Sequence, residues 1–229
     1  MKTTDLIQSA EISTNEIDGR KGSRPRNLYG QSIGRKGAET RERLIKATVE
    51  LLEKRSLRDV SVADITAAAG TSSSGFYIYF SDVAAAALAV AETIIQITPE
   101  IEVLLSKEWT AENADANARA LVSAYVNFTR QHHAILRVRN LAADEGDRRF
   151  EEARHKAVAR IHELLTTRIE AANNGLDPSS GASAVLALME RISAISRLPL
   201  RRHHSRPKLI SSAAFLVASA MAPAKRVTT

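Results

Sequence analysis

The sequence predicts an all-α fold, with a small N-terminal three-helix unit followed by a larger helical one. Three observations carry this expectation. Apolar residues recur at helical spacing (i, i+3, i+4, i+7) rather than in strict alternation. Alanine is abundant and aromatic residues make up only 4% of the chain, which suits closely packed helices. The helical stretches are broken by Gly70, Gly146, Asn173-Asn174-Gly175 and Pro199, residue types that end or interrupt helices. The reading divides the chain into a flexible basic arm (1–37), a helix-turn-helix unit (38–82), a larger helical unit (83–222) and a short tail (223–229).

The arm is rich in Gly, Ser, Asn and charge and shows little periodicity. Its run GQSIGRKG lacks the spacing of a phosphate-binding loop, and no strand precedes it. The next helix is expected over 39–54, with Leu44, Ile45, Thr48, Leu51 and Leu52 as its apolar stripe and Arg43, Lys46 and Lys54 outside. Cations concentrate here. Residues 20–46 hold Arg20, Lys21, Arg24, Arg26, Arg35, Lys36, Arg41, Arg43 and Lys46 against Glu39 and Glu42 alone. Such local excess is the electrostatic footprint of a nucleic-acid partner, more telling than the net charge of +6.

The stretch SVADITAAAGTSSSGFYIYF (61–80) organises what surrounds it. Ser61 and Asp64 have the spacing of a capping box. Val62, Ile65 and Ala69 form one apolar face, and Gly70 stops the helix in a left-handed conformation. Thr71 and Ser72 then offer new caps, so a second helix starts at once, roughly over 72–79. Phe76 and Phe80 are expected to point inward; Ser73, Ser74, Gly75, Tyr77, Ile78 and Tyr79 remain to face out. A helical pair with so short a turn is what presents a helix to a DNA major groove.

Asp82 is placed to cap a long apolar helix with Leu88, Ala91, Ile94 and Ile95, which Pro99 ends or kinks. Helices follow over 111–131, 134–143 and 148–172. The first has His132 and His133 at its end, where polar or cationic groups suit the negative terminus. His155 and His162 share a face near Glu151 and Glu163, but no metal-binding motif accompanies them, and a solvated helical face is the reading. A helix over 178–198 is followed by a basic connector holding Arg201, Arg202, His203, His204, Arg206 and Lys208. The final helix, 210–221, is too apolar to stand exposed, so packing against a second subunit is expected.

Function classes are narrowed by what the chain lacks. It contains no cysteine, which removes disulfides, thiolate metal sites and cysteine catalysis. No apolar run reaches the ~18 residues of a membrane span, and the first residues lack an apolar signal core, so a soluble cytoplasmic protein is expected. No nucleophile with a nearby base, paired carboxylates or metal motif marks an enzyme, and no cofactor is expected.

From Thr40 to about Val90, TRERLIKATVELL, SVADITAAAG and TSSSGFYIYF resemble helices one to three of the TetR family of bacterial regulators. The resemblance implies a sequence-specific DNA-binding regulator, a repressor released from a palindromic operator by a small ligand. Carried over by position, Arg41, Ser61, Ser72 and Tyr77 match phosphate contacts, and Ser73, Ser74, Gly75, Ile78 and Tyr79 the groove-facing places. It further implies a homodimer through the last two helices and an effector site in the C-terminal helical unit. Trp109, Leu121, Tyr125, Phe128, Met189 and Ile192, large apolar or amphipathic residues on facing helices, are the candidate wall of a mainly apolar site. The chain departs from the pattern in three places: Ser56 stands where the family usually has Gly, no Lys or Arg stands near Ser73 where one is usual, and Val83 stands where a Lys is. Residues 71–80 therefore carry no Lys or Arg, and the positive charge must come from elsewhere. The competing reading is a basic architectural DNA-binding protein without sequence preference, and a helical enzyme is the more distant alternative.

Overall fold

The computed structural model describes residues 27–95, 99–197 and 205–223. They form ten α-helices: α1 (Arg35–Leu52), α2 (Val62–Ala69), α3 (Ser73–Tyr77), α4 (Val83–Ile95), α5 (Pro99–Ser106), α6 (Ala114–Gln131), α7 (His133–Asp144), α8 (Arg148–Ala172), α9 (Pro178–Ile195) and α10 (Arg206–Met221). A 3₁₀ turn, Leu57–Asp59, joins α1 to α2. No strand occurs among the described residues, so the all-α expectation is met.

The described residues divide into two compact units, one comprising 27–95 together with 131–155, the other 99–130 together with 156–197 and 205–223. In the first, α1 packs against α2, α4 and α7, and α3 against α2. The expected boundary at 82/83 is therefore displaced: α4 belongs with the three N-terminal helices. Its small residues explain this. Ala86, Ala87, Val90, Ala91 and Ile94 are buried, and the alanines let neighbouring backbones come close. Asp82 caps α4 as expected, its Oδ1 accepting from the Ala85 N–H at 2.6 Å. Asp82 also pairs with Arg149, which Asp147 holds from the other side at 2.7 Å.

The second unit has one apolar core built from α5, α6, the later turns of α8, α9 and α10. Leu105, Leu121, Leu165, Ile169, Met189 and Met221 are among its fully buried side chains. Asn174, after α8, donates from Nδ2 to the carbonyls of Ala220 (3.0 Å) and Ala222 (3.2 Å), satisfying the orphan acceptors at the end of α10.

Several boundaries differ from the sequence reading. Helix α1 begins at Arg35, so the last residues of the supposed arm are helical, and Asn27–Ile33 form an ordered turn with Ile33 buried. Residues 1–26 lie outside the described residues. Pro99 opens α5, where its missing N–H is no loss, and residues 96–98 before it lie outside the described residues. His132 does not serve as a cation at a helix end: it is 1% exposed, and burial pushes its ring down to about 4, so it is neutral at pH 7. Helix α10 starts four residues early, at Arg206, capped by Ser205. Arg206 is thus part of α10 and not of the basic connector, and its guanidinium donates to the Ser196 carbonyl at 2.9 Å. Residues 201–204 of that basic run lie outside the described residues.

The capping box is formed. Ser61 Oγ accepts from the Asp64 N–H at 3.1 Å, and the Ser61 N–H donates to Asp64 Oδ2 at 2.8 Å. These bonds, with Arg55 3.1 Å away, draw the Asp64 carboxyl from an ordinary 3.8 down to about 2. Ser61→Ala is expected to cost about 1 kcal/mol, read as a lower urea midpoint. Because the folded-state value is depressed, the carboxylate's contribution is complete above about pH 4 and is lost as pH falls toward 2. Wild type should lose stability across that window more steeply than Asp64→Asn, as followed by circular dichroism.

Candidate nucleic-acid interface

Helix α2 ends at Gly70, whose φ of 62° is the left-handed conformation that closes the turn. Two residues later Ser72 caps α3, accepting from the Gly75 N–H at 3.1 Å. Helix α3 has only five residues, too few to persist alone, and is held by what it buries. Phe76 is fully buried, edge-on to Tyr77 at 5.5 Å and tilted against Phe80 at 5.6 Å between ring centres. The Arg41 guanidinium lies over the Phe80 ring at 5.4 Å.

With that face fixed, the other is presented to solvent. Ser73, Ser74, Tyr77 and Ile78 are exposed, as the sequence predicts, and so is Ser72. Tyr79 is half-buried, and its hydroxyl stands 3.2 Å from where a Cβ on Gly37 would lie. Gly75 is also half-buried, and a Cβ there would meet Thr71 Oγ1 at 2.7 Å, so a larger residue would require the Thr71 side chain to shift. Ser61 is exposed, but its hydroxyl proton goes to Asp64 Oδ2 at 2.7 Å and its N–H to the same oxygen, so both donors serve the cap. The Ser72 hydroxyl is likewise shared, 2.9 Å from that of Ser74.

Cations absent from α3 stand on α1. Lys36, Thr40, Arg43 and Lys46 lie along one face at helical spacing and line a groove of about 700 Å³ with Glu39 and Glu42. Arg43 reaches the helical pair, its Nη1 3.9 Å from the place a Cβ on Gly70 would take. The i, i+4, i+7, i+10 spacing was visible in the sequence; the proximity to Gly70 was not.

The ligand-wall candidates all fall in the second unit. Trp109, Leu121, Tyr125, Met189 and Ile192 are buried members of its core, and Phe128 is half-buried. Trp109 Nε1 donates to the Leu104 carbonyl at 3.2 Å. A separate groove of about 590 Å³ lies between α5 and α6, lined by Val103, Leu104, Ala120 and Ala124 among others, and includes none of the six. Among the described residues, no cluster of His, Asp or Glu is arranged to hold a metal, and no helix is long and apolar enough to cross a membrane.

A short exposed helix, braced by a buried aromatic pair within a tight helical hairpin and carried on an all-helical chain, defines a helix-turn-helix DNA-binding protein. Residues 44–90 match the family model of the bacterial regulatory proteins, tetR family, and residues 101–199 that of the tetracyclin repressor-like C-terminal domain. The chain belongs to the TetR family and is a DNA-binding transcriptional regulator. No curated protein matches it in sequence. Among solved structures, a Rhodococcus protein of unknown function is 21% identical with a TM-score of 0.64, covering 80% of this chain and 95% of its own. A chain described as a TetR-family transcriptional regulator from Mesorhizobium loti is 17% identical, TM-score 0.61, covering 82% and 97%. A transcriptional regulator from Saccharomonospora viridis, solved in complex with choline, is 15% identical, TM-score 0.61, covering 79% and 96%. At these identities the likeness is one of fold.

Gly70→Ala is expected to destabilise the helical pair by about 1–2 kcal/mol, because an L side chain resists the left-handed conformation. The check is a lowered thermal midpoint together with weaker DNA binding.

Proposed function

We propose that the protein is a homodimeric repressor that reads a roughly palindromic operator with α3 and leaves it when a small, mainly apolar molecule binds the second unit. The observation that carries this reading is the exposed face of α3, Ser73, Ser74, Tyr77 and Ile78, fixed from beneath by Phe76. Serine hydroxyls reach base edges or phosphates, and a tyrosine hydroxyl reaches a phosphate. Phosphate affinity then comes from Arg41 and from Lys36, Arg43 and Lys46 of α1.

Dimerisation through α9 and α10 is supported by Phe215 and Leu216, which are 67% and 53% exposed on α10, an apolar pair that a second subunit would cover. Two-fold symmetry places two reading helices about 34–36 Å apart, one turn of DNA. The effector reading rests on the apolar core containing Trp109, Leu121, Tyr125, Met189 and Ile192, with Phe128 at its margin. The protein of the same fold from Saccharomonospora viridis holds choline. A ligand that favours one arrangement of the reading heads shifts DNA affinity by its differential binding, typically about 1–3 kcal/mol. The protein acts by binding rather than catalysis, in the cytoplasm where its operator lies.

Footprinting on the DNA upstream of its own gene should protect a short inverted repeat; uniform protection would favour the architectural reading. Tyr77→Phe should weaken binding to all sequences alike, as measured by fluorescence anisotropy. Replacing Lys36, Arg43 and Lys46 together by Gln should reduce the log–log salt slope of binding by about 2–3, roughly 0.9 for each phosphate that is no longer neutralised.

A further inference from the structure

We infer that the Asn27–Ile33 turn is part of the reading head, and that Leu28 and Tyr29 extend its apolar contact to thymine methyl groups in the major groove. The inference rests on the DNA-reading role of α3 given above.

The turn is built, not loose. Asn27 Oδ1 accepts from the N–H groups of Tyr29 (3.0 Å) and Gln31 (2.9 Å), the Gly30 N–H donates to the Asn27 carbonyl (3.0 Å), and Gly30 takes φ 74°. Ile33 is 8% exposed and anchors its far end. Its near end is tied to the recognition helix: the Leu28 N–H donates to the Ile78 carbonyl at 3.1 Å, one of the acceptors a helix leaves open at its C-terminus. The turn is thereby fixed to the residue that follows α3.

What it presents is apolar. Leu28 is 54% exposed and Tyr29 71%, beside Ile78 at 39% and Tyr77 at 47%. Four of the nine exposed large hydrophobic residues among those described thus gather at one end of one short helix. Neither 27–33 nor 71–80 contains a Lys or Arg, so, the Tyr77 hydroxyl apart, no cationic group makes this patch a phosphate clamp. The apolar group that a major groove offers is the thymine C5-methyl. Side chains held on an ordered turn meet it with little entropy to lose.

The test uses the full chain and a duplex it selects from a random-sequence pool. Each thymine is replaced singly by uracil, which lacks only the methyl. Wild type should lose about fivefold in affinity at the contacted thymines. The double variant Leu28→Ala with Tyr29→Ala should keep the wild-type unfolding midpoint and salt slope, and bind the parent duplex about five- to tenfold more weakly. At least one uracil replacement that weakens wild type should leave the variant unaffected. The inference is overturned if the variant binds as wild type does, if its loss comes with a smaller salt slope, or if its response to every uracil is unchanged. A chain that selects no duplex would defeat the DNA reading itself, whereas selection with an inert double variant would defeat only this inference.

Discussion

Phe76 lies fully buried under a helix of five residues, and the reading head depends on that contact. So short a helix cannot repay its own nucleation in water. Its stability comes from Phe76 packed among Tyr77 and Phe80, from the Arg41 guanidinium over Phe80, and from the Ser72 cap. Each also orients something outward. Burying Phe76 turns Ser73, Ser74 and Tyr77 toward solvent, and capping by Ser72 sets the axis on which they stand. Local folding and presentation of the groove-facing residues are thus one event.

The helical pair was largely legible in the sequence because its signals are local. Ser61 with Asp64, Gly70, and Ser72 each act over three or four residues, and all three take the roles their spacing predicts. The inward Phe76 and Phe80 follow from i, i+4 spacing alone. What was not legible depends on distant partners. The placement of α4 with the N-terminal helices follows from its packing against α1 and α7, a contact that periodicity within α4 cannot show. Asn27–Ile33 looked like a polar tail because its order comes from Ile33 burial and a bond to Ile78. His132 looked like a helix-end cation until its burial was seen.

The departures from the family pattern find local accommodation. Ser56, in place of the usual Gly, takes an extended conformation with φ −74° and its hydroxyl donates to Asp59 across the 3₁₀ turn. Val83, in place of the usual Lys, is the half-buried first residue of α4 and contributes packing where the family has charge. The missing cation on α3 is answered by Arg43, which stands beside Gly70 although it belongs to another helix. Relative to the family pattern, charge stands on α1, which braces the helical pair, and not on α3.

That division separates two properties most groove-reading helices combine. On the proposed reading, attraction to any duplex would come from α1 and be weakened by dissolved ions. On the same reading, discrimination among base pairs would come from neutral side chains, whose contacts to methyls and base edges are indifferent to screening. When a bacterium accumulates potassium under osmotic stress, the regulator's hold on the whole chromosome and on its operator should decline in parallel. The preference of one for the other, which sets occupancy in the presence of a genome of competitors, is then preserved.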